Sequence, residues 1–288
     1  GQEFIGDDST CVGSISDEKN DKLYYFINQT PLEVDQLLWP PFLSQSNTIT
    51  SDIIVEYNSV TNTTIPIFVD TYNVSVGTST GNPPGSAPSS IIDVASTFGL
   101  RVGMELNVFK RSFSSSTFRF VVSNIITGSP NNLSKPPTII AIPSSTTVTL
   151  STEISLLTTQ TNRLVFTAPR VLKFHKDRLI TGINIIDEML LWVDGYYNSN
   201  GELQGSEPKK INIPRSIQGT DVDGFHHTKL VNDSLNINPP GINHPIKEEH
   251  ITVIKKSPKN QLKLDLKTGR DTDIGLSYTG IMNITIPP

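Results

Sequence analysis

Cysteine is almost absent from this chain of 288 residues, which contains Cys11 alone. One cysteine excludes an intrachain disulfide and any zinc site made of several thiolates. The lack of a disulfide framework fits assembly in a reducing cytoplasm. No local motif supports Cys11 as a nucleophile, so we expect it to be a small, buried, apolar residue.

Long apolar runs and an excess of basic residues are also missing. No stretch approaches the roughly 18 apolar residues of a transmembrane helix, so we expect no stable membrane insertion. The chain has 23 Lys and Arg against 28 Asp and Glu, a formal net charge of −5. This balance argues against a primary role in binding nucleic acid. Because the first residue is Gly1 and not Met, we expect the chain to be trimmed, tagged or part of a longer polypeptide.

Familiar catalytic motifs are lacking as well. The sequence has no P-loop, no Rossmann fingerprint and no Gly-x-Ser-x-Gly elbow. His226 and His227 are the most suggestive metal pair, but adjacent residues of a strand point to opposite faces. His175, His244 and His250 show no ligand spacing such as HxH or HExxH. We therefore expect no enzymatic activity, no catalytic residue, no bound cofactor and no metal site.

Acidic pairs are a weaker sign of calcium binding. Asp7-Asp8, Asp17-Glu18 and Asp187-Glu188 supply carboxylate oxygens, which are the ligands that calcium prefers. Asp and its neighbours are also common turn formers. We favour turns over calcium sites at these positions.

Aromatic residues leave two interpretations open. Tyr24, Tyr25 and Trp192 could form a sugar-binding platform, but they lie in apolar, strand-like runs, which favours packing in the core. Trp39 is different, because it stands in an apolar, Pro-rich stretch that ends at Phe42. Such a stretch must be buried under its own domain or against a neighbouring subunit.

What the chain does contain is short β-branched runs separated by turn residues. Gly and Pro number 19 and 20, and this composition favours strands over long helices. Short helices are predicted only at 32–38 and 90–98. The predicted strands are 22–28, 52–57, 64–69, 118–126, 138–142, 146–150, 163–166, 179–186, 189–193, 209–213, 250–255 and 262–266.

Composition marks one boundary in the chain. Twelve of the fourteen residues 77–90 are Gly, Ser, Thr or Pro, which is typical of a connector. Residues 91–169 are rich in Ser and Thr, and we interpret them as a small inserted β-rich domain. The predicted regions are 1–76, the first part of a blade region; 77–169, the connector and inserted domain; 170–245, the second part of the blade region; and 246–288, C-terminal strands that reach a neighbouring domain or subunit.

The two parts of the blade region repeat one pattern. A strand, an acidic turn, an aromatic strand, a polar loop and a further strand occur before the insertion and again after it. A meander of three or four strands cannot bury both of its faces alone. Such units stack as β-propeller blades, and the alternative is two hairpins of a sandwich. We predict a mainly β chain with propeller-like blades, in which Tyr24 or Tyr25 shares a core region with Trp192.

Several segments together carry a resemblance to a known family. They are "GSISDEKNDKLYYFI", "DIIVEYNSVTNTTIPIFVD", "LITGINIIDEMLLWVDG", "EPKKINI" and "IKEEHITVIKKSP", in that order. The chain resembles the tail nozzle proteins, also called muzzle or stabilisation proteins, of crAss-like and related short-tailed phages of Bacteroidetes. The similarity covers residues 11–74 and 171–266, and the inserted region departs from the family pattern.

The resemblance implies a structural role in a virion. Members carry a β-propeller, and six copies form a ring at the distal end of the tail, around the channel through which DNA leaves. The expected partners are other copies of the chain, other tail proteins such as hub or ring proteins, and phage DNA that passes without sequence-specific binding. The expected location is the virion, after assembly in the host cytoplasm.

Two other classes of function remain as alternatives. One is a carbohydrate- or receptor-binding β protein of a phage tail, with the insertion as its binding module. The other is a propeller hydrolase, for which the sequence shows no triad or carboxylate pair.

The C-terminal part is predicted to leave the blade region. Residues 216–249 contain several prolines and few apolar runs, so we expect an irregular excursion. Residues 246–256, 261–267 and 274–286 alternate as strands do. Little apolar sequence remains nearby to cover them, so we expect them to complete a sheet elsewhere.

Overall fold

The chain folds mainly into antiparallel β-strands, as predicted. The structure is a computed structural model that describes residues 4–6, 9–29, 47–77, 88–114, 119–124, 135–154, 163–197, 203–205, 207–231, 244–253, 264–269 and 279–284. The helices are a 3-10 turn at Glu18–Asn20, α1 at Ile213–Gly219 and α2 at Glu248–Ile251. The strands are β1 (Thr10–Asp17), β2 (Lys22–Asn28), β3 (Thr48–Asn58), β4 (Thr63–Gly77), β5 (Ser89–Asp93), β6 (Glu105–Ser114), β7 (Arg119–Asn124), β8 (Ile139–Ser144), β9 (Thr147–Ile154), β10 (Arg163–Thr167), β11 (Gly182–Ile186), β12 (Met189–Val193), β13 (Gly195–Tyr197), β14 (Leu203–Gly205), β15 (Lys209–Asn212), β16 (Leu264–Gly269) and β17 (Thr279–Ile284).

A seven-stranded antiparallel sheet forms the body, in the order β1-β2-β3-β4-β10-β6-β7. Its first four strands are a meander. Both faces of β3 are covered, because consecutive residues from Thr50 to Glu56 are all buried. One face packs in a large core cluster through Ile54, and the other packs in a smaller cluster of Ile53 and Val55. This explains why the apolar residues Ile53, Ile54 and Val55 are consecutive in β3 and do not alternate with polar residues.

The predicted helix at 90–98 is wrong. Residues Ser89–Asp93 form β5, the edge strand of a three-stranded sheet in the order β5-β9-β8. Ile92 of β5 is buried in a core cluster together with Val148 of β9. The β-branched pair Ile91-Ile92 suits a pleated surface, and a neighbouring strand to pair with outweighed the possible N-cap at Ser90.

The stretch that we interpreted as an inserted domain is continuous with the body. β4 extends to Gly77, which pairs with Arg163 of β10, and β10 pairs in turn with β6. Val74 and Val76 of β4 lie in the same core cluster as Leu106 and Phe166. Of the strands after β4, β10, β6 and β7 therefore extend the same sheet, and β5, β9 and β8 form a separate three-stranded sheet.

A second meander follows, with the strand order β11-β12-β15. Its connectivity repeats that of β1-β2-β3, as the sequence repeat predicts. The two meanders touch at Gly13 of β1, where an added Cβ would lie 2.9 Å from Ile183 Cδ1 of β11. The backbone N–H of Ile180 donates to the carbonyl of Val12 at 2.7 Å, beside this contact. A glycine at position 13 is what allows the second meander to approach the first so closely.

Residues 213–231 cover the part of β4 that does not pair with β10. Ser216 and Thr220 donate their hydroxyls to the carbonyl of Ile67, at 2.5 and 3.1 Å. Thr228 accepts from the N–H of Val69 at 2.8 Å through its hydroxyl. Part of the predicted irregular excursion is therefore α1 and a polar loop that satisfy the backbone of β4.

The predicted strand at 246–256 is wrong at its start. Residues Glu248–Ile251 form α2, and Ile246 and Ile251 are buried in the large core cluster. The sequence alternates there, but one turn of helix also places these two apolar residues against the body. Gly1–Val253 is one compact unit, and Ile254–Pro288 is a second, in which β16 pairs with β17.

Candidate functional site

Tyr24 and Trp192, one aromatic residue from each meander, lie in one core, as predicted. Tyr24 and Trp192 are both about 1% exposed and belong to the large core cluster. Phe26 joins them, with its ring centroid 5.5 Å from that of Trp192 in an edge-to-face arrangement. Tyr24 donates its hydroxyl to Glu56 at 2.9 Å. Neither Tyr24 nor Trp192 is available as a sugar platform.

Other aromatic and acidic candidates have different positions. Tyr25 is half-buried against the smaller cluster on the other face of the sheet. Trp39 and the pair Asp7-Asp8 lie outside the described residues. Asp187 and Glu188 form the tight turn between β11 and β12, with φ values of 45° and 64°. This turn supports the interpretation of the acidic pair as a turn former.

Cys11 is exposed, so the prediction that it is buried was wrong. In β1 the side chain of Val12 points into the core and that of Cys11 points away from it. The Cys11 thiol donates to the carbonyl of Gly13 at 3.4 Å. Strand alternation decided the outcome, since only one of two adjacent residues can face the core.

His226 and His227 contact different groups, as their adjacency predicts. His226 Nδ1 lies 2.6 Å from Asp223 Oδ2, and its ring packs edge-on against Phe98 at 4.6 Å. Hydrogen bonds from backbone N–H groups and the contact with His226 hold the pKa of Asp223 below its ordinary value, although burial acts to raise it. His227 is buried and faces the opposite way, toward Asp70. Within the described residues, no three His, Cys, Asp or Glu side chains are grouped closely enough to hold a metal ion.

The most unusual group of side chains is a pair of buried carboxylates, Asp52 and Asp70. They are directly opposite partners on β3 and β4, and both are 0% exposed. Like charges in this arrangement repel each other, and each loses its hydration. The surrounding residues must therefore compensate both carboxylates.

Asp52 is compensated by three donors. Its Oδ1 accepts from Asn28 Nδ2 at 2.8 Å, and its Oδ2 accepts from Arg170 Nη2 at 2.6 Å and from the N–H of Phe174 at 3.0 Å. Burial raises the pKa of Asp52 to about 6, and repulsion from Asp70 adds to the rise while the Arg170 charge opposes it. The carboxylate is thus ionised at neutral pH, and Arg170 is the charge that keeps it so.

Arg170 is fixed on both sides. Burial lowers its pKa and is the largest single effect, but the Asp52 charge, the hydrogen bond to Asp52 and the other electrostatic contacts together outweigh it, so the net shift is upward. The guanidinium lies 4.3 Å from the centre of the Tyr72 ring. Burial raises the pKa of Tyr72 to about 12, so its ring stays neutral beside the cation.

Asp70 is bound on one oxygen and faces histidine with the other. Its Oδ2 accepts from the N–H groups of Val171 and Leu172, the latter at 2.8 Å. Its Oδ1 lies 3.4 Å from His227 Nδ1, and neither atom has a hydrogen-bond partner. His227 Nε2 lies 2.8 Å from the carbonyl oxygen of Ile246, which anchors the ring on its other side.

A second buried ion pair, between Lys209 and Asp194, contacts residues 170–174 from the second meander. Lys209 of β15 is 1% exposed and donates to Asp194 Oδ2 at 2.8 Å and to the carbonyl of Leu172 at 3.2 Å. Residues 170–174, which we call the strap, are therefore held by Asp52 and Asp70 of the first meander and by Lys209 of the second. The carboxylates are acceptors for backbone N–H groups, and this arrangement fixes a loop between two sheets.

The sequence carried a signal for this site. Asp52 and Asp70 each stand at one end of a strand-like run that is rich in apolar residues, "DIIVEY" and "IPIFVD". An acid inside a buried run must have a partner, so both positions could have been selected as buried ion pairs. Their partners could not have been named, because Arg170 is more than 100 residues away from Asp52 in the sequence.

Comparisons with known proteins give no relative for this chain. No protein-family model, curated protein sequence or solved structure matches it. Among the described residues, none of the helices has the length and apolar character needed to cross a membrane.

Proposed function

We propose that this chain is a structural subunit of a phage tail, a nozzle or muzzle protein that forms a ring around the channel for DNA ejection. The proposal rests on the resemblance of segments 11–74 and 171–266 to that family. The observation that supports it is the pair of antiparallel meanders, β1-β2-β3-β4 and β11-β12-β15, which lie side by side around Phe26 and Trp192. Two such sheets with aromatic residues between them are compatible with neighbouring blades of a propeller.

The proposed role is mechanical, and the strap suits it. A subunit that surrounds DNA under pressure must resist separation of its sheets. The strap is tied to the first meander by Asp52 and Asp70 and to the second by Lys209, through buried, charge-assisted hydrogen bonds. Such bonds are about twice as strong as neutral ones. The net charge of −5 also agrees with a channel wall that does not retain the phosphate backbone.

Native mass measurement tests the proposal. The chain has a mass of 31.6 kDa, so a ring of six copies has a mass of roughly 190 kDa. We expect mass photometry of the purified chain to give this hexamer. A monomer or trimer that binds immobilised glycans of the host surface would favour the alternative, a carbohydrate- or receptor-binding tail protein, and would reject the ring.

A further inference from the structure

One buried histidine, His227, lies between the carboxylate pair and the segment that contains α2. Its Nε2 is 2.8 Å from the carbonyl oxygen of Ile246, just before α2 begins. A carbonyl oxygen only accepts hydrogen bonds, so Nε2 must carry a hydrogen. Turning the ring over would place ring carbons against both of its oxygen neighbours, so the orientation is fixed. The contact with Ile246 therefore determines where one hydrogen of the ring lies.

The other ring nitrogen faces a buried carboxylate oxygen. His227 Nδ1 lies 3.4 Å from Asp70 Oδ1, and neither atom has a hydrogen-bond partner in the part of the chain that the structure describes. A bridging water would need the two atoms to be roughly 4.5 Å apart or more, so none fits between them. Without a hydrogen on either atom, two lone pairs would face each other away from water, which is costly. One hydrogen placed between them satisfies both atoms.

The charged groups packed around the pair are engaged elsewhere. Arg170 of the strap is paired with Asp52, on the strand next to Asp70. Arg101 attracts the Asp70 charge, but the hydrogen bond of its Nη2 goes to a backbone carbonyl. Burial keeps the nearby Tyr72 neutral by raising its pKa to about 12. None of these groups supplies the hydrogen that Asp70 Oδ1 lacks.

The segment 244–251 and the neighbours of His227 in the chain leave the pair alone as well. Their charged side chains form ion pairs of their own: Glu248 with Lys173, Lys247 and His250 with Glu249, His226 with Asp223, and Lys229 with Asp221. His244 is exposed. Among the described residues, the His227 ring therefore faces one ionisable group, Asp70, and one backbone carbonyl.

We propose that Asp70 and His227 hold one buried proton between them, and that this proton makes the attachment of residues 244–253 to the body sensitive to pH. Arg170, the cation of the other carboxylate, does not lose its proton, whereas a histidine can release its proton in the physiological range of pH. When the proton leaves, the two facing atoms become unpaired inside the body, and the charge-assisted bond from His227 to Ile246 weakens. The proposal is independent of a role in a phage tail.

The direction of the pH dependence follows from a count of protons. In the unfolded chain, aspartate is ionised above about pH 4 and histidine loses its proton at about pH 6.5. Above that pH the folded protein binds one proton more than the unfolded chain, so stability falls as the pH rises. The contribution of the pair is complete below about pH 6.5 and is lost above it. Each further pH unit should raise the unfolding equilibrium constant by up to about ten-fold.

The test is urea unfolding of the full chain at a pH of about 6.5 and of about 8.5, with Asp70→Asn as the main variant. The carbonyl oxygen of the new side chain can still accept from the N–H groups of Val171 and Leu172, and its amide can donate to an uncharged His227 ring. This variant therefore needs no buried proton. We expect the unfolding constant of the wild type to rise at least about ten-fold more than that of Asp70→Asn. Asp52, with a pKa of about 6, contributes less than about two-fold over this range.

Two further variants locate the effect. His227→Gln should lose the pH response, and His244→Gln, which replaces an exposed histidine of the attached segment, is the matched control and should keep it within about two-fold. Hydrogen exchange of residues 244–253, corrected for the intrinsic rate at each pH, should show protection that falls with pH in the wild type and not in Asp70→Asn.

Three results would each overturn the proposal. One is an equal pH response of unfolding in the wild type and in folded Asp70→Asn or His227→Gln. Another is hydrogen exchange of residues 244–253 with the same pH dependence in the wild type and in Asp70→Asn. The third needs no variant to fold: it is a wild-type unfolding constant that rises less than about two-fold between the two pH values.

Discussion

Replacing Arg170 by Met tests the account of the strap. Asp52 is fully buried, and Arg170 is its only cationic contact within hydrogen-bond distance among the described residues. Removing one partner of a buried ion pair typically costs about 3 to 5 kcal/mol, because the other charge stays buried without compensation. Arg170 is 31% exposed, so we expect the lower end, roughly 3 kcal/mol. Urea unfolding at pH 7.5 measures this loss.

The pH dependence of that loss identifies its cause. Burial places the folded-state pKa of Asp52 at about 6, above the ordinary 3.8 that it has when unfolded. Between these two values the folded protein binds the extra proton, so stability from this group rises as pH falls through 6 and is lost as pH rises through it. Lowering the pH from 7.5 to 5.5 should give the wild type roughly 1 kcal/mol from Asp52.

In Arg170→Met the pKa of Asp52 moves further up, so the same change of pH should restore roughly 2 to 3 kcal/mol. Other titrating groups are common to both proteins and cancel in the difference. Lys176→Met, an exposed basic residue near the strap, is the control and should change stability by less than about 0.5 kcal/mol. A loss below 1 kcal/mol for Arg170→Met, or an equal loss at the two pH values, would refute the reasoning.

Further predictions concern the contact between the meanders and the C-terminal unit. Gly13→Val should cost about 1 to 3 kcal/mol in urea unfolding, because its side chain would overlap Ile183 and the carbonyl of Ile180; wild-type stability would disprove that contact. Trp192→Ala should cost about 3 to 5 kcal/mol, since its ring is fully buried, whereas a loss under 1 kcal/mol would place it outside the core. Deletion of Ile254–Pro288 should abolish oligomerisation and leave the far-ultraviolet circular dichroism of the body intact; assembly at full size after deletion would show that this unit is not the link between subunits.

Strand positions were the most predictable part of the fold. The runs 22–28 and 189–193 coincide with β2 and β12, because an apolar run bounded by turn residues leaves little choice of element. The repeat also predicted that the two meanders share their connectivity and a core around Tyr24 and Trp192. The strand positions and the repeated connectivity follow from patterns within short stretches of the sequence, so they could be predicted.

The wrong predictions arose where distant pairing decided the structure. Residues 90–98 and 246–256 each fit two periods, and packing against strands far away in the sequence chose between them. The extension of the sheet beyond β4 by β10 and β6 could not be predicted, because sheet order is set by contacts between distant segments, about 90 residues apart for β4 and β10 and about 60 for β10 and β6. The predicted helix at 32–38 lies outside the described residues.

The candidate site was also predictable only where it depends on local sequence. An acid in each of two buried strands was visible at Asp52 and Asp70, but the strap that satisfies them comes from another part of the chain. Adjacent residues of a strand face opposite sides, and in β1 Val12 faces the core, so Cys11 is exposed. The sequence shows which side chains a strand carries. Which of them face the core, and which distant residues they contact, is known only from the fold.

Electron microscopy of the assembled protein tests the central claim most directly. The account predicts that negatively stained particles of the purified full-length chain give class averages with six-fold rotational symmetry and a central channel. Averages that show single globular particles or three-fold rods, at concentrations where the protein stays folded, would contradict a ring-forming tail subunit.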